Sequence, residues 1–409
     1  MIWLVVILGL TLLVFLHELG HFSVALAVGI RPRSFYVGFP PAIAKIKRNG
    51  IEYGIGAIPL GGLVRIPGMH RPAGKDVEAF MAPALREEPG LSPAVQRVRR
   101  RLDDGDYQGA RDGLDELRRD IEAASLSPGA LRSANRALRE IEEGTGLDAY
   151  WRQPPWKRIA VIAAGPVANI VVAFLLFFIV YLAGAPTANP TTKVDAVRQG
   201  SPAAKAGLHP GDRIVAVNGH PGSTFDQISR RIRASHGKPI TVTVERDHTR
   251  VTLGPQPTMK SGDRWIWGFT PGFAEISYGP GTSARYAARD CWRVFSGTVS
   301  AVGGLFHSNE RAQVSGPVGI VRTSASALEL GVNWYLQVLG LISMSLAILN
   351  LLPLLPLDGG HILFSLIEAV RRRPVAREVY ERVSMLGFAV ILLIWFVAIS
   401  NDVSGRGPG

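Results

Sequence analysis

The sequence predicts a polytopic α-helical membrane protein with about four transmembrane helices, a re-entrant β-hairpin loop and an extracytoplasmic α+β domain. Three observations lead to this fold class. Hydrophobic residues make up 47% of the 409 residues and charged residues only 19%, which is too apolar for an ordinary soluble protein. The apolar residues are concentrated in a few long runs. Two segments rich in turn residues and alternating apolar residues lie between those runs.

Four apolar runs approach the length of a membrane span, which is about 20 residues with a range of roughly 17–25. They are residues 2–16, 159–183, 334–355 and 383–399. The first run is not predicted to be a secretory signal peptide, because it lacks a basic start and a small-residue cleavage site. The transmembrane segments are therefore placed within residues 1–30, 155–184, 334–370 and 383–400.

The first apolar run contains a His-Glu-x-x-His sequence, formed by His17, Glu18 and His21. Residues four apart share one face of a helix, so His17 and His21 can present their imidazoles to one metal ion. Glu18 lies beside them, where its carboxylate can take a proton from water activated by the metal. Such side chains are costly within a membrane helix and therefore indicate a function. A catalytic zinc site usually has three protein ligands, so a third is expected elsewhere.

The net charge of +12 lies mainly on loops that fall on one side of a four-span topology. The positive-inside rule makes that side cytoplasmic, and both termini and residues 184–333 then lie outside. We expect a multi-pass protein of the cell inner (plasma) membrane, with the active site toward the cytoplasmic side. This distribution argues against nucleic acid as a partner. The single cysteine, Cys291, excludes an internal disulfide.

Residues 31–70 are predicted to form a membrane-associated β-loop. Apolar residues alternate on both sides of Asn49-Gly50, which is a turn signal typical of β-hairpins, and Gly61 and Gly62 follow in a Pro-Leu-Gly-Gly sequence. Non-helical backbone near membrane depth is tolerated only against protein or a watery cavity, so we expect this loop to fold back near the His-rich helix. A plain cytoplasmic hairpin is the alternative.

Residues 71–150 are predicted to be a charged helical insert in the cytoplasm. Leucine and isoleucine recur there with helical periodicity, and Ser127-Pro128 is a plausible helix start. We expect a helical hairpin, extended by an earlier helix near residues 95–102. The charged runs are most simply solvated helix faces.

The second span carries one strongly polar residue, Asn169, after a Gly165-Pro166 interruption. An amide in hydrocarbon is expected to point inward. Two roles remain open: a structural hydrogen bond between helices, or contact with a substrate.

A soluble module follows within residues 192–256. Its signature is a short helix, a Pro210-Gly211-Asp212 turn, a strand and an Asn218-Gly219 turn, followed by an amphipathic helix and an alternating strand. This order resembles a bacterial PDZ domain. PDZ domains bind peptides by adding a strand to a sheet edge, and a purely steric filter is an equally weighted alternative role. Residues 257–333 are predicted to be an extracytoplasmic connecting region.

The third span ends in two prolines followed by Asp358-Gly359-Gly360-His361. A carboxylate beside a helix break in an apolar setting is costly unless it is paired, so Asp358 is the expected third metal ligand. His361 is the competitor for this position.

With these motifs in this order, the chain resembles the site-2 proteases, and it is most similar to the bacterial regulators of σ-factor signalling. The resemblance covers residues 1–69 and 155–400 and leaves out the charged insert. It implies that His17, His21 and Asp358 bind Zn²⁺ and that Glu18 is the general acid/base. It further implies that Asn169 and the loop carrying Gly61 and Gly62 position the substrate.

The resulting expectation is an intramembrane zinc metalloprotease that acts on a single-pass membrane protein, such as a membrane-anchored anti-sigma factor, in regulated intramembrane proteolysis. Membrane lipid and a peptide bound to the PDZ-like domain are further expected partners. The alternative is a catalytically silent membrane PDZ scaffold or chaperone with a degenerate metal site. A transporter is a third option, but the sequence lacks the inverted symmetry expected of one.

Overall fold

The computed structural model describes residues 2–262, 264–304 and 316–404. The chain divides into two compact units, the first formed by Met1–Phe177 and Ala287–Gly409 and the second by Phe178–Tyr286. Part of the predicted connecting region, residues 305–315, lies outside the described residues.

The helices in chain order are α1 (Ile2–Ala27), α2 (Gly74–Glu87), α3 (Ser92–Asp103), α4 (Tyr107–Asp112), α5 (Leu114–Ala123), α6 (Pro128–Thr145), α7 (Pro155–Ala183), α8 (Pro202–Lys205), α9 (Phe225–Ala234), α10 (Pro280–Gly304), α11 (Pro317–Leu330), α12 (Val332–Asn350), α13 (Asp358–Arg371) and α14 (Arg377–Ser404). The strands are β1 (Ser34–Arg48), β2 (Ile51–Arg65), β3 (Ala185–Val197), β4 (Arg213–Val217), β5 (His220–Pro221), β6 (Pro239–Arg246), β7 (Thr249–Pro257), β8 (Met259–Ser261), β9 (Arg264–Ile266) and β10 (Phe269–Ile276). Short 3₁₀ turns lie at Pro89–Leu91 and Tyr150–Arg152.

Four helices in the described part of the chain are long and apolar enough to cross a membrane. They are α1, α7, α12 and most of α14, with the bounds Ile2–Ala27, Pro155–Ala183, Val332–Asn350 and Glu378–Asp402. The prediction of four membrane-spanning helices is confirmed at this level of length and composition.

In the first unit, α1 packs along α11 and α12. Val6 and Leu13 are buried against Tyr335 and Leu339, and the Tyr335 hydroxyl donates a hydrogen bond to the backbone oxygen of Val5 over 3.0 Å. α12 stops at Asn350, and the following prolines prevent the helix from continuing. The chain re-enters a helix at Asp358, which places this carboxylate in the first turn of α13.

The predicted hairpin is formed by β1 and β2. Asn49 and Gly50 both have positive φ, +50° and +78°, which a two-residue type I′ turn requires. Residues 34–37 have Cα partners in both halves of β2, at 52–55 and at 62–65, so the two strands fold into a curled sheet. Phe22 of α1 packs against Phe35 and Ile51 of this sheet. The hairpin is thereby attached to the helix that carries the two histidines.

The charged insert forms helices α2 to α6 around an apolar core of its own, rather than the hairpin that the sequence predicts. Ser127 accepts a hydrogen bond from the backbone N–H of Ala130 and caps α6. The two ends of the insert lie side by side, since the N–H groups of Tyr150 and Trp151 donate to the backbone oxygens of Pro67 and Gly68 over 2.9 and 3.1 Å.

The second unit contains a sheet with strand order β10-β3-β4-β6-β7, and β5 pairs with β4. Ile214, Val242 and Val244 form its core with Ile228 of α9. The sheet extends beyond the predicted bounds of 192–256, because β3 begins at Ala185 and pairs with β10. Long-range pairing of this kind leaves no local sequence signal.

Candidate metal centre

The structure brings together the side chains of His17, His21 and Asp358. The Nε2 atoms of the two histidines are 3.2 Å apart, and Asp358 Oδ2 lies 3.3 Å from His17 Nε2 and 3.4 Å from His21 Nε2. Among the described residues, this is the group of three or more potential ligands whose atoms could hold one metal ion. Both histidines are buried, and the oxygen of Asp358 has no hydrogen-bond partner in the described part of the chain.

These distances fit a zinc ion. Nitrogen and oxygen ligands at about 2.0–2.1 Å from a tetrahedral zinc lie roughly 3.3–3.4 Å apart, which is close to the three separations observed. Two imidazole nitrogens and a carboxylate oxygen are also an ordinary donor set for a catalytic zinc. Without a cation, a buried Asp358 oxygen without a partner would be costly.

Each imidazole is held from behind by α7. His21 Nδ1 lies 2.9 Å from the backbone oxygen of Val161, so Nδ1 carries the proton and Nε2 is free to bind a metal. His17 Nδ1 lies 3.2 Å from the amide nitrogen of Asn169. When the amide is rotated, Asn169 Oδ1 takes the position of the amide nitrogen. This oxygen has no partner among the described residues, and there it can accept the hydrogen bond from Nδ1–H that a metal-binding His17 needs.

A glycine allows α7 to approach the two histidines. A Cβ atom at Gly165 would lie 2.3 Å from His21 Nε2 and 2.8 Å from His17 Cε1, distances that no side chain can occupy. The Gly165-Pro166 sequence therefore has a specific role: it lets the backbone of α7 pass directly beside the imidazoles.

Glu18 lies on the side of the cluster that faces β2. Val64 of β2 lines the cavity next to this carboxylate. A Cβ atom at Gly62 would lie 2.7 Å from Glu18 Cγ, so glycine is required there for the strand to come this close. The strand and the predicted catalytic carboxylate are thus in direct contact.

A cavity of about 370 Å³ opens onto these groups. His17, Glu18, His21 and Asp358 line it, together with Gly62 and several apolar side chains of α1, β2, α7 and α12. An apolar cavity with a few convergent polar groups is the usual form of a substrate site.

Two of the predicted substrate-positioning residues lie elsewhere. Gly61 precedes Gly62 in β2, and its Cα faces the ring of Phe39. Asn169 is completely buried behind His17, with its backbone oxygen accepting a hydrogen bond from Ser343. Neither is among the cavity-lining residues, whereas Gly62 is.

Asn350 is a site residue that sequence reasoning missed. It lines the cavity, and its amide nitrogen lies 3.4 Å from His17 Nε2. Its sequence signal is a polar residue at the end of an apolar helix, directly before the proline-rich break. His361 lines the same cavity but does not belong to the group of potential metal ligands.

The apolar helices and the buried His-His-Asp cluster with an adjacent glutamate define a membrane metallopeptidase. Residues 5–394 match peptidase family M50, and the chain belongs to this family. A protein of Agrobacterium fabrum that is provisionally named a zinc metalloprotease is 32% identical over 97% of this chain and 94% of its own length. The zinc metalloprotease RasP of Bacillus licheniformis is 30% identical over 96% of both chains. The regulator of sigma-W protease RasP of Bacillus subtilis is 28% identical over 96% of this chain and 95% of its own.

Membership of this zinc-dependent peptidase family confirms the expected class and cofactor. The chain is a zinc metalloendopeptidase with apolar helices suited to a membrane. The resemblance noted in the sequence is thereby confirmed over nearly the whole chain, because the family match spans the insert as well.

Proposed function

We propose that this protein is an intramembrane protease that hydrolyses a peptide bond in or near the transmembrane segment of a single-pass membrane protein. The observation that carries the proposal is the position of the cluster: His17, Glu18 and His21 lie within α1, a helix long enough to cross a membrane. A substrate bond must reach this depth to be cut.

In this proposal His17, His21 and Asp358 hold the zinc ion. Bound zinc supplies a Lewis acid that lowers the pKa of water and polarises a carbonyl group. Val161 and Asn169 fix the orientation of the two imidazoles through their Nδ1 atoms, which leaves both Nε2 atoms to the metal.

Glu18 serves as the general base and then as the general acid. Its carboxylate accepts a proton from the attacking water and passes it to the nitrogen of the leaving amine. Gly62 and Val64 of β2 line the cavity beside this carboxylate. A scaffold without activity would not require a base here, which disfavours the alternative of a catalytically silent protein.

The β1–β2 sheet presents the substrate. A peptide bond in a helix is shielded by its own hydrogen bonds, so the substrate segment must unwind before it is cut. A strand beside Glu18, with Gly62 leaving its backbone open to the cavity, can pair with the unwound segment. Several apolar side chains of this sheet are exposed, including Ile43 at 72% and Ile46 at 67%. This exposure supports a re-entrant hairpin that contacts membrane lipid.

The second unit is proposed to be an extracytoplasmic PDZ-like domain. A sheet with an amphipathic helix, α9, and a turn at residues 210–212 supports that assignment. Such a domain would bind a peptide or exclude bulky substrates from the site. The name of the Bacillus subtilis relative suggests the substrate class: a membrane-anchored regulator of a sigma factor, such as an anti-sigma factor. The cytoplasmic location of the active site in a multi-pass inner-membrane protein belongs to the same proposal.

The test uses purified full-length protein and a single-span substrate in detergent. Wild type should contain about one zinc per chain and cleave the substrate. Glu18→Gln should retain zinc and lose cleavage, because the amide keeps the shape but cannot accept a proton. Asp358→Ala should lose both zinc and activity. A wild type without zinc, or cleavage by Glu18→Gln at the wild-type rate, would refute the proposal.

A further inference from the structure

His361 is a polar group at the metal cavity that the proposed chemistry has not yet used. It lies one helical turn after Asp358 on α13, so the two side chains share a helix face. Its imidazole lines the same cavity as Glu18 and His17, yet lies outside the ligand cluster. It is therefore placed to contact what enters the cavity without binding the metal.

Tyr380 of α14 fixes the state of this imidazole. The Tyr380 hydroxyl makes a close hydrogen bond with His361 Nδ1 and lies 3.4 Å from Nε2. When the hydroxyl donates its proton to the nearer nitrogen, Nδ1, the imidazole keeps its own proton on Nε2. The result is a neutral ring with one N–H donor.

The tyrosine itself is held by aromatic neighbours. Its ring centroid lies 4.9 Å from that of Phe364 and 4.9 Å from that of His70, in edge-to-face arrangements. His70 packs against Tyr380 but is not among the residues that line the metal cavity. It therefore provides a control for the effect of loosening Tyr380.

We propose that the Nε2–H of His361 donates a hydrogen bond to the scissile carbonyl oxygen, and that Tyr380 is the residue that positions it. This inference rests on the proposed function. Negative charge develops on that oxygen during attack, and a preorganised donor in a water-poor cavity stabilises it. The imidazole keeps its proton throughout, so no bond to hydrogen is broken at His361.

The experiment compares His361→Ala, His361→Gln, Tyr380→Phe and the control His70→Ala as zinc-loaded full-length proteins. His361→Ala should lower kcat by about 100-fold with little change in KM, which is the usual effect of losing one such donor. His361→Gln should recover at least about tenfold of that loss, since its amide can donate. Tyr380→Phe should lower kcat less than His361→Ala does, and His70→Ala should lower kcat no more than Tyr380→Phe does, because it only loosens the packing around Tyr380.

Binding measurements separate this role from a structural one. The affinity for a phosphinic peptide, which mimics the tetrahedral transition state, should fall in parallel with kcat/KM in His361→Ala. The affinity of the Glu18→Gln variant for intact substrate should not change when His361→Ala is added. Zinc content should stay at the wild-type value in all variants.

Three results would overturn the inference: loss of zinc from His361→Ala, an unchanged kcat, or an equal loss of affinity for substrate and phosphinic peptide. The first would make His361 a ligand, and the last would make it an ordinary binding or packing residue. Failure of the proposed function would be seen separately, in the zinc content of wild type and the activity of Glu18→Gln.

Discussion

At the scale of single residues, the metal site depends on how closely α7 approaches the imidazoles of His17 and His21. Val161 and Asn169 act from α7 on the far side of each ring, and Gly165 leaves room for both rings between them. The candidate ligands lie on α1 and α13, but the orientation of the two imidazoles comes from a third helix, α7, that contributes no candidate ligand.

Gly165→Ala should therefore weaken zinc binding. The added methyl group would displace His21 or force α7 away, and altering the surroundings of metal ligands commonly costs about 10- to 100-fold in affinity. Competition with a chelator measures this, and Gly297→Ala is the matched control because nothing lies within 4 Å of its Cβ position. Equal zinc affinity in both variants would show that zinc binding does not depend on how closely α7 approaches the imidazoles.

The sequence predicted the three candidate ligands that the structure brings together, and it missed the groups that orient them, for a physical reason. His17 and His21 follow from helical spacing, and Asp358 follows from the cost of a carboxylate near hydrocarbon. The backbone oxygen of Val161 carries no residue-specific signal, because every residue has one. Asn350 had a weak signal as a polar helix end, and only the fold shows that it faces His17.

At the scale of elements, the second unit contains an ion pair between the buried Asp212 and the partly exposed Arg246. Arg246 Nε and Nη2 donate to the two Asp212 oxygens, each over 2.7 Å, and the His209 N–H donates over 2.9 Å. Burial alone would raise the pKa of Asp212, but these hydrogen bonds outweigh it and the pKa lies below the usual value. The pair joins the Pro-Gly-Asp turn to β6.

Asp212→Ala should destabilise this unit by roughly 3 kcal/mol, because it leaves Arg246 without its partner. In wild type, the contribution of Asp212 is complete above the unfolded pKa of about 3.9 and is lost as the pH falls through the lower native pKa. Urea denaturation followed by hydrogen exchange in β4 and β6 measures both effects. Asp226→Ala is the control, since its pair with Arg230 is exposed and is worth at most about 1 kcal/mol. Equal effects of the two substitutions would contradict the prediction.

The charged insert is an element with its own core and adjacent ends. It contacts the hairpin region through ion pairs such as Arg65–Glu143 at 2.9 Å and Arg33–Asp148 at 2.9 Å, which are partly exposed and contribute little each. None of its helices supplies a residue to the cavity around Glu18. A regulatory or partner-binding role for the insert therefore remains a prediction.

Replacement of residues 73–147 by a short Gly-Ser linker should leave zinc content and basal cleavage in detergent close to wild type. The hydrogen bonds from Tyr150 and Trp151 to Pro67 and Gly68 would keep the linker ends together. Complete loss of cleavage in a folded, zinc-loaded variant would show that the insert takes part in the reaction.

At the scale of the whole molecule, hydropathy predicted more of the fold than local strand patterns did. The four apolar helices follow from composition, because a membrane span must satisfy its own backbone hydrogen bonds. The curled β1–β2 sheet and the pairing of β3 with β10 depend on contacts between distant residues, and strand patterns alone do not specify such partners.

The distribution of basic residues along the sequence predicts the orientation of the chain in the membrane. Basic residues follow α1, precede α7 and lie between α13 and α14, so these loops are expected to be cytoplasmic and the second unit extracytoplasmic.

Ala123 in the insert and Ala234 in the second unit are both exposed, and either can carry a single cysteine once Cys291 is replaced by serine. A membrane-impermeant maleimide should label Ala234→Cys in cells with an intact inner membrane, and Ala123→Cys only after that membrane is permeabilised. Arg373→Cys, in the exposed loop before α14, should behave like Ala123→Cys, because two spans separate the two loops. Labelling of Ala123→Cys without permeabilisation would show that the chain has the opposite orientation in the membrane. Opposite behaviour of Ala123→Cys and Arg373→Cys would instead show that α7 and α12 do not both cross the membrane.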